Sequence, residues 1–333
     1  MKRRTKFQLM TATIVLLIAL VGGSFYMIEY SLRRHLPDKF SRETRFTHVV
    51  SGNPEIKPWV DSLQKYKLIH DTIVKMQNNE RQHAMFVYAN LPTTKTAVLL
   101  HGYHDNGTDM MQIAHIYAQM GYNLMIPDHH AHGESEGKMI QMGWKERVDV
   151  LRWMAIADSL FSDSIGHSRQ VVHGISMGAA LTMCVSGEDT PDYVKCFVED
   201  CGYTSVWDEF NNQLKAQFGL PPFPLLYCAS GLNKLIYGWS FGEASPLKQV
   251  AKCHKPMLFI HGDNDNYVAS KMVFPLYKAK PGAKQLWIAK GSAHALSYHD
   301  HRQEYTNIVK KFVSRYISSS HSVQRSMSPS ARH

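Results

Sequence analysis

Cysteine is scarce in this sequence, and its scarcity excludes one class of fold. The 333 residues include five cysteines, at positions 184, 196, 201, 228 and 253. That number is odd, too small and too scattered for a disulfide framework in a chain of this length. One disulfide, between the neighbouring Cys196 and Cys201, is compatible with the sequence. Cysteine content therefore does not indicate the compartment.

The body of the chain lacks an excess of charge of either sign. The formal charge of +9 arises from 37 basic and 28 acidic residues, but the whole excess lies in residues 1–45 and 314–333. Between these ends, acidic and basic residues are equal in number. A neutral body does not support a phosphate-binding surface, so we expect no nucleic-acid partner. With 44% hydrophobic residues, the composition is that of a globular protein with a substantial core.

The sequence has a long run without charged residues at its N-terminus. Residues 7–28 are uncharged, and a helix over them reaches about 33 Å, which spans a bilayer. A basic cluster at residues 2–6 favours an N-terminus inside and a body outside the cytoplasm, although more basic residues follow the run. Signal cleavage near residues 21–23 is the alternative and would give a secreted protein. Continued apolar character to residue 28 favours an anchor at 1–30.

Strand-like and helix-like patterns alternate through the body. We expect a juxtamembrane segment at 31–67, an α/β domain at 68–317 and a disordered polar tail at 318–333. An antiparallel strand pair is predicted at 72–76 and 83–88, followed by strands at 97–100, 123–126, 170–173, 195–198, 256–260 and 284–288. Helical spacing lies between the later runs, which predicts a mostly parallel central sheet flanked by helices. Residues 204–250 interrupt the alternation and predict a small helical lid.

A candidate nucleophile lies at a predicted strand-to-helix turn. The segment Gly-Ile-Ser-Met-Gly at 174–178 follows the apolar run that ends at His173, and it precedes a helix rich in small residues. This is the context that the G-x-S-x-G motif requires, because its glycines allow a strained turn that projects the serine above the sheet. Ser176 is therefore the predicted nucleophile. A serine hydroxyl also needs a base, and the base needs an orienting carboxylate.

Two later turns supply a carboxylate and a histidine. His-Gly-Asp-Asn-Asp at 261–265 follows one predicted strand, and Gly-Ser-Ala-His at 291–294 follows the next. The order serine, acid, histidine is that of α/β hydrolases. His294 is the predicted base, and Asp263 and Asp265 are both candidates for the acid. Asp200, at the end of an earlier strand, is a further candidate.

An oxyanion hole is predicted from two backbone N–H groups. One belongs to Met177, the residue after the nucleophile, and the other to Tyr103, in the His-Gly-Tyr loop after an early strand. The side chain of Tyr103 would then be free to line the acyl pocket. His101 is expected to brace this loop without transferring protons.

These motifs resemble those of the α/β-hydrolase superfamily, in particular bacterial hydrolases with one N-terminal hydrophobic segment from the serine-peptidase-like and acyl-esterase-like branches. The resemblance covers about 68–317 and rests on the motifs H-G-Y, D-H-H-A-H-G-E-S, G-I-S-M-G, E-D-C-G-Y-T-S, H-G-D-N-D and A-H-A-L-S. It implies a cofactor-free serine hydrolase that acts on an ester, thioester or amide. It also favours Asp265 as the acid, because resembling sequences place the acid three residues after the glycine, and leaves Asp263 as a turn residue.

One position departs from the resembling sequences. They usually carry an arginine two residues after the aspartate of the D-x-R-x-H-G-x-S loop, where this chain has His130. The loop is expected to brace the oxyanion turn, so the departure should adjust activity without abolishing it.

Two other functions are weighed against hydrolysis by serine. The histidines at 129, 130 and 132 could suggest a hydrolytic metal site, but their spacing differs from the helical H-E-x-x-H pattern, and no metal is expected. A membrane-tethered binding protein without chemistry is the other alternative, although such proteins usually lose the serine, the histidine or an elbow glycine.

Aromatic residues in the loops and the predicted lid suggest an apolar acyl pocket. Tyr103, Tyr203, Trp207 and Tyr267 are the candidate substrate-binding residues. This aromatic content, together with a tether near a bilayer, favours moderately apolar carboxylic esters over long peptides. Serine aminopeptidase-like amide hydrolysis is the alternative activity.

Overall fold

The central element of the protein is an eight-stranded sheet. A computed structural model describes residues 2–34, 42–164 and 166–317. The strands are β1 (His70–Lys75), β2 (Arg81–Val87), β3 (Lys95–Leu100), β4 (Asn123–Pro127), β5 (Arg169–Ile175), β6 (Val194–Asp200), β7 (Met257–Gly262) and β8 (Lys284–Ala289). Their order across the sheet is β1-β2-β4-β3-β5-β6-β7-β8. The predicted tail at 318–333 lies outside the described residues.

The strand directions agree with the sequence prediction. Strand β2 pairs antiparallel with both β1 and β4, and every later pair from β4 to β8 is parallel. Parallel strands end at the same edge of the sheet, so the loops after β3, β5, β7 and β8 converge there. The mostly parallel sheet with an antiparallel start is confirmed.

Twelve α-helices among the described residues surround the sheet. They are α1 (Lys2–Leu32), α2 (Arg42–Gly52), α3 (Lys57–Lys65), α4 (Met111–Gln119), α5 (Glu146–Phe161), α6 (Met177–Ser186), α7 (Val206–Phe218), α8 (Leu225–Tyr237), α9 (Pro246–Val250), α10 (Val273–Ala279), α11 (Ser297–Asp300) and α12 (Arg302–Tyr316). One face of the sheet packs against α2, α3, α4 and α12, and the other against α5, α6, α9 and α10. Both faces are covered because strands in a parallel sheet are apolar on both sides.

The segment expected as a juxtamembrane linker is partly built into the domain. Helices α2 and α3 carry the buried residues Phe46, Val49, Val60 and Leu63, which belong to the same apolar core as β3 and β4. Helices α2 and α3 are therefore part of the folded unit, although they lie ahead of the expected boundary at 68. Apolar spacing in these two short helices is the reason, since their buried faces need the sheet to cover them.

The lid and the end of α1 form a third apolar layer above the sheet edge. Ile28 and Leu32 of α1 pack with Leu214 of α7 and Leu226 of α8. One described helix, Arg4–Leu32, is long and apolar enough to cross a bilayer. All five cysteines are free thiols, so the pair Cys196 and Cys201 forms no disulfide in this structure.

Candidate active site

Ser176 lies at a sharp turn between β5 and α6. Its backbone has φ 57° and ψ −118°, a conformation that is strained for a residue with a side chain. The turn depends on close backbone contacts. A Cβ atom on Gly174 would lie 2.0 Å from the carbonyl oxygen of Gly178, and one on Gly178 would lie 2.0 Å from that of Leu100. Only glycine fits at both positions, so the motif is required by packing.

Ser176, His294 and Asp265 form a continuous hydrogen-bonded chain. The Oγ atom of Ser176 lies 2.8 Å from Nε2 of His294. The other ring nitrogen of His294, Nδ1, lies 2.7 Å from Oδ2 of Asp265. The structure thus brings together three side chains from three loops at one sheet edge. With Nδ1–H directed at the carboxylate, Nε2 is free to accept a proton from the serine.

The carboxyl group of Asp265 is buried but well supplied with donors. Its Oδ1 atom accepts the backbone N–H groups of Tyr267 and Val268, each at 3.0 Å. Burial acts to raise the pKa of Asp265, but hydrogen bonds from His261 and His294 outweigh it and hold the pKa below its usual value. The group is therefore a carboxylate at neutral pH, as the orienting acid must be.

The two rival acids have other partners. Asp200 is buried beneath the site, where Oδ1 accepts a hydrogen bond of 3.3 Å from the hydroxyl of Ser297, and burial raises its pKa to about 6. Asp263 accepts the backbone N–H of Gly291 at 2.5 Å, the turn role predicted for it. Among the three candidates, Asp265 is the one hydrogen-bonded to His294.

The His-Gly-Tyr loop after β3 lies against Ser176. A Cβ atom built on Gly102 would be 3.6 Å from Cβ of Ser176. His101 is fully buried, its Nε2 accepts the backbone N–H of His129 at 3.0 Å, and its ring stacks on that of His129. Burial lowers the pKa of His101 well below its usual value, so the ring is neutral. These contacts fit the bracing role predicted for His101.

The loop that begins at Asp128 is braced from two sides. Asp128 accepts a hydrogen bond of 2.8 Å from Nδ1 of His83 and the backbone N–H of Glu134 at 2.9 Å. His130, the position that departs from resembling sequences, pairs with Glu80 at 2.8 Å. An arginine nevertheless reaches the loop, because Arg34 donates to the carbonyl oxygens of Gly133 and Ser135 at 2.6 Å each. Arg34 lies two residues after the end of α1, and the sequence carried no signal for this contact.

A cavity of about 230 Å³ opens beside Ser176. Tyr103, Tyr203 and Tyr267, three of the predicted substrate-binding residues, are among the residues that line it. Trp207, the fourth predicted substrate-binding residue, is not among the residues that line it. Its ring instead packs edge-on against Tyr227 of the lid, with centroids 4.8 Å apart. An aromatic residue at the start of a lid helix can face either the cavity or the lid interior, and the sequence does not distinguish the two.

Two groups of cavity residues were missed by sequence reasoning. Tyr30 and Ser31, in the last turn of α1, line the cavity. So do Glu209, Gln213 and Gln217, which lie at four-residue spacing on α7 and are joined through their side chains at 2.9 Å. The four-residue polar spacing was visible in the sequence. No sequence signal connected α1 with the cavity.

The described residues hold one candidate metal-ligating group, which shares two side chains with the proposed triad. The one group of side chains close enough to share an ion consists of Cys201, Asp265 and His294. The histidines considered as ligands have other partners: His130 contacts Glu80, and Nδ1 of His132 lies 2.9 Å from the carbonyl oxygen of His130. The His129 ring is fully buried beside His101, and burial lowers its pKa to about 3.

Fold and site together define a class of protein. A mostly parallel sheet with a serine at the turn between a central strand and a helix, and with helices on both faces, is the architecture of serine hydrolases with the α/β-hydrolase fold. Residues 109–320 match the model of the prolyl oligopeptidase family, Peptidase_S9. The chain belongs to this family and is a serine hydrolase.

Similar proteins agree with this assignment. The uncharacterized protein YqkD of Bacillus subtilis (strain 168) is 32% identical over 222 residues, which cover 66% of this chain and 72% of that protein. The structure of the Pyrococcus furiosus esterase Pf2001 is similar with a TM-score of 0.59 at 22% identity, over 74% of this chain and 90% of the esterase. The Pyrococcus horikoshii acylaminoacyl peptidase gives a TM-score of 0.58 at 16% identity, over 79% of this chain and 44% of the peptidase. Both structures show the same fold, and the expected α/β-hydrolase fold is confirmed.

Proposed function

We propose that the protein hydrolyses carboxylic esters through a Ser176–His294–Asp265 triad and an acyl-enzyme intermediate. The observation that carries this proposal is the pair of hydrogen bonds that join the three side chains, 2.8 Å from Ser176 to His294 and 2.7 Å from His294 to Asp265. Acyl transfer requires a nucleophile that is hydrogen-bonded to a base, and a base that is hydrogen-bonded to an orienting acid.

The proposed reaction begins with attack of Ser176 Oγ on the ester carbonyl carbon, while Nε2 of His294 accepts the hydroxyl proton. The carbonyl oxygen then becomes an oxyanion, and the backbone N–H groups of Met177 and Tyr103 are the proposed donors to it. Met177 is the first residue of α6, where an N–H group has no partner within the helix. Collapse expels the alcohol, which takes the proton from His294. A water molecule then attacks the acyl-enzyme in the same way, with His294 as the base, and releases the carboxylic acid product and Ser176.

Esters are favoured over amides by the character of the cavity. Tyr103, Tyr203 and Tyr267 give it apolar walls, which suit an acyl chain. The acid available to bind the ammonium group of a peptide is Glu209, but burial raises its pKa to about 8. Glu209 is therefore mostly uncharged at neutral pH and a poor partner for an ammonium group. Amide hydrolysis remains the second candidate because of the family match and the acylaminoacyl peptidase neighbour.

The proposal includes a membrane anchor at 1–30 and a catalytic domain outside the cytoplasm. The apolar helix Arg4–Leu32 and the basic residues before it support this orientation. Secretion after signal cleavage is the alternative, which N-terminal sequencing of the mature protein distinguishes.

Labelling with a fluorophosphonate probe tests the proposed nucleophile. We expect the full chain to be labelled and the Ser176→Ala variant to be unlabelled and inactive. Ser162→Ala, at an exposed serine, is the matched control and should behave as the unaltered protein. Failure of the unaltered chain to react would favour a binding protein without chemistry. Activity of Ser176→Ala that a chelator removes would favour a metal mechanism.

A panel of chromogenic substrates tests the proposed specificity. Acyl esters of increasing chain length are compared with aminoacyl amides of the same chromophore. We expect turnover of esters to exceed that of amides. Faster amide turnover would replace the ester proposal with peptidase activity.

A further inference from the structure

The C-terminal third of α1 is packed on the lid. Ser24 donates a hydrogen bond of 3.2 Å from its hydroxyl to the carbonyl oxygen of Leu225, at the start of α8. A Cβ atom on Gly23 would lie 3.7 Å from the Leu225 side chain. Near the other end of α8, Tyr237 interacts with Glu29. The two helices therefore run side by side in the same direction, with the start of α8 nearest the apolar part of α1.

For the proposed membrane anchor, helix length fixes where the lid lies relative to a bilayer. A helix needs about 20 residues to cross the hydrocarbon core, so a span that begins at Phe7 extends to about Tyr26. The contacts of Gly23 and Ser24 with the lid come before that point. At about 1.5 Å per residue, the start of α8 then lies ~4 Å within the apolar layer. A span that stopped before the lid would be too short.

The edge of the lid has the surface that this position requires. Residues 216–233 contain no charged side chain. Four large apolar or aromatic side chains in this stretch are exposed, namely Phe218, Leu220, Phe223 and Tyr227. Phe223 is 70% exposed and Tyr227 57%. An apolar patch of this kind is unusual on a surface that faces water and is expected where a protein enters a membrane.

An apolar groove connects this edge with the proposed nucleophile. It lies between α1 and the lid helices and is lined by Met27, Ile28, Leu214, Leu225 and Ala229. The groove and the cavity beside Ser176 share the walls Tyr30, Ser31, Phe210, Gln213 and Gln217. A chain of methylene groups in the groove would therefore place its head near Ser176.

We infer that the lid edge at 216–233 is immersed in the bilayer leaflet next to the domain, and that the substrate is an ester with a long acyl chain taken from that leaflet. The acyl chain would enter between α1 and α8 and reach Ser176 without crossing water. In this arrangement α1 both anchors the enzyme and forms one wall of its substrate path. The substrate part of this inference rests on the proposed esterase function.

Depth of the lid edge is measured on the full chain in phospholipid vesicles. Cys228, the only cysteine that is not buried among the five, is replaced by serine, which leaves four buried thiols. A bimane fluorophore is then attached at Tyr227→Cys or, as the matched control on the same helix, at Leu235→Cys. Leu235 is 82% exposed and lies eight residues further along α8, away from the apolar part of α1. We expect brominated lipids to quench the fluorophore at 227 and aqueous iodide to quench the one at 235. Iodide quenching at 227 without quenching by brominated lipids would overturn the inference.

Turnover of two esters tests the path of the substrate. A chromogenic butyrate in water and a fluorogenic palmitate ester in the same vesicles are hydrolysed by each variant. Tyr227→Asp should lower the ratio of palmitate to butyrate turnover about tenfold, because a carboxylate opposes immersion at this edge. Leu235→Asp should leave the ratio unchanged. An unchanged ratio in Tyr227→Asp would overturn the proposed path.

Failure of the esterase proposal has a different signature. If the unaltered chain hydrolyses neither ester, the esterase function and the inferred substrate class are both overturned. Fluorophore quenching still tests whether the lid edge contacts the membrane. If it hydrolyses butyrate but not palmitate in vesicles, the esterase function stands and the inferred substrate class is overturned.

Discussion

The hydroxyl group of Tyr103 donates a hydrogen bond of 2.5 Å to the backbone carbonyl oxygen of Ser31. Ser31 belongs to the last turn of α1, where carbonyl groups have no partner within the helix. Tyr103 belongs to the loop whose N–H group we propose as an oxyanion donor. One hydrogen bond thus joins the N-terminal helix to the proposed oxyanion loop. Movement of α1 should therefore change the position of this loop.

Tyr103→Phe tests this connection. Removal of the hydroxyl leaves the carbonyl of Ser31 without its donor and loosens the loop. Because a typical hydrogen bond contributes about 1 kcal/mol, kcat for a short ester should fall about fivefold. Steady-state kinetics in the presence of vesicles measure the change. Tyr66→Phe, at an exposed tyrosine that does not line the cavity, is the control, and equal kcat in both variants would argue against the connection.

Replacement of the three candidate acids tests which one orients His294. Asp265→Asn should lower kcat about 10⁴-fold, because the amide favours the wrong histidine tautomer. Asp263→Asn keeps an oxygen that can accept the backbone N–H of Gly291 and should leave most of the activity. Asp200→Asn should also retain activity if the protein folds, which circular dichroism establishes. Loss of activity in Asp200→Asn with retained activity in Asp265→Asn would reassign the acid.

Glycine replacements test the packing of the nucleophile turn. A methyl group on Gly178 would overlap the carbonyl oxygen of Leu100, so Gly178→Ala should destabilise the protein by about 3 kcal/mol or more. Gly231→Ala provides the opposite case, because this glycine lies within α8 with nothing within 4 Å of the added atom. There alanine should stabilise the helix by up to ~1 kcal/mol. Thermal unfolding of both variants measures the difference, and destabilisation of equal size would contradict the argument.

Glu146 should make stability depend on pH. Burial raises the pKa of Glu146 to about 8, above the ordinary value of 4.5. The folded protein therefore holds a proton that the unfolded chain loses between these two values, so the free energy of unfolding falls as pH rises from about 4.5 to 8. Glu146→Gln removes this pH dependence. The free energy of unfolding of the variant, relative to that of the unaltered protein, should therefore increase with pH across that window. Denaturant unfolding at pH 5 and pH 8 measures it.

The exposed Glu43 supplies the control for that experiment. Glu43→Gln should change stability by a similar small amount at both pH values. A gain in Glu146→Gln that is the same at pH 5 and pH 8 would contradict the raised pKa. Burial also raises the pKa of Glu199 and Glu209. The stability of Glu146→Gln should therefore still depend on pH in part.

Much of the fold was predictable because local patterns and tertiary packing agree. Each predicted strand of the sheet is present, with ends that differ by a few residues, and helices α7 and α8 lie within the predicted lid at 204–250. The loops after β5, β7 and β8 carry short motifs whose glycines and polar residues are dictated by local turns. Ser176, Asp265 and His294 could therefore be selected before their distances were known.

Other features had no local signal. Helices α2 and α3 were predicted to be a linker because their apolar faces are short. These faces are buried only where the sheet covers them. Trp207 was expected in the cavity, but its orientation depends on Tyr227, twenty residues away along the chain.

The sequence by itself determined that a serine, a histidine and an aspartate follow strands of one parallel sheet, because parallel strands end at the same edge. Only the tertiary structure decided that Asp265 reaches His294, that Arg34 braces the loop beside His130, and that Tyr30 and Ser31 form a wall of the cavity. The physical reason is that these contacts join segments far apart in the chain. Their geometry follows from how α1 and the lid pack over the sheet, and no periodicity or motif within either segment specifies it.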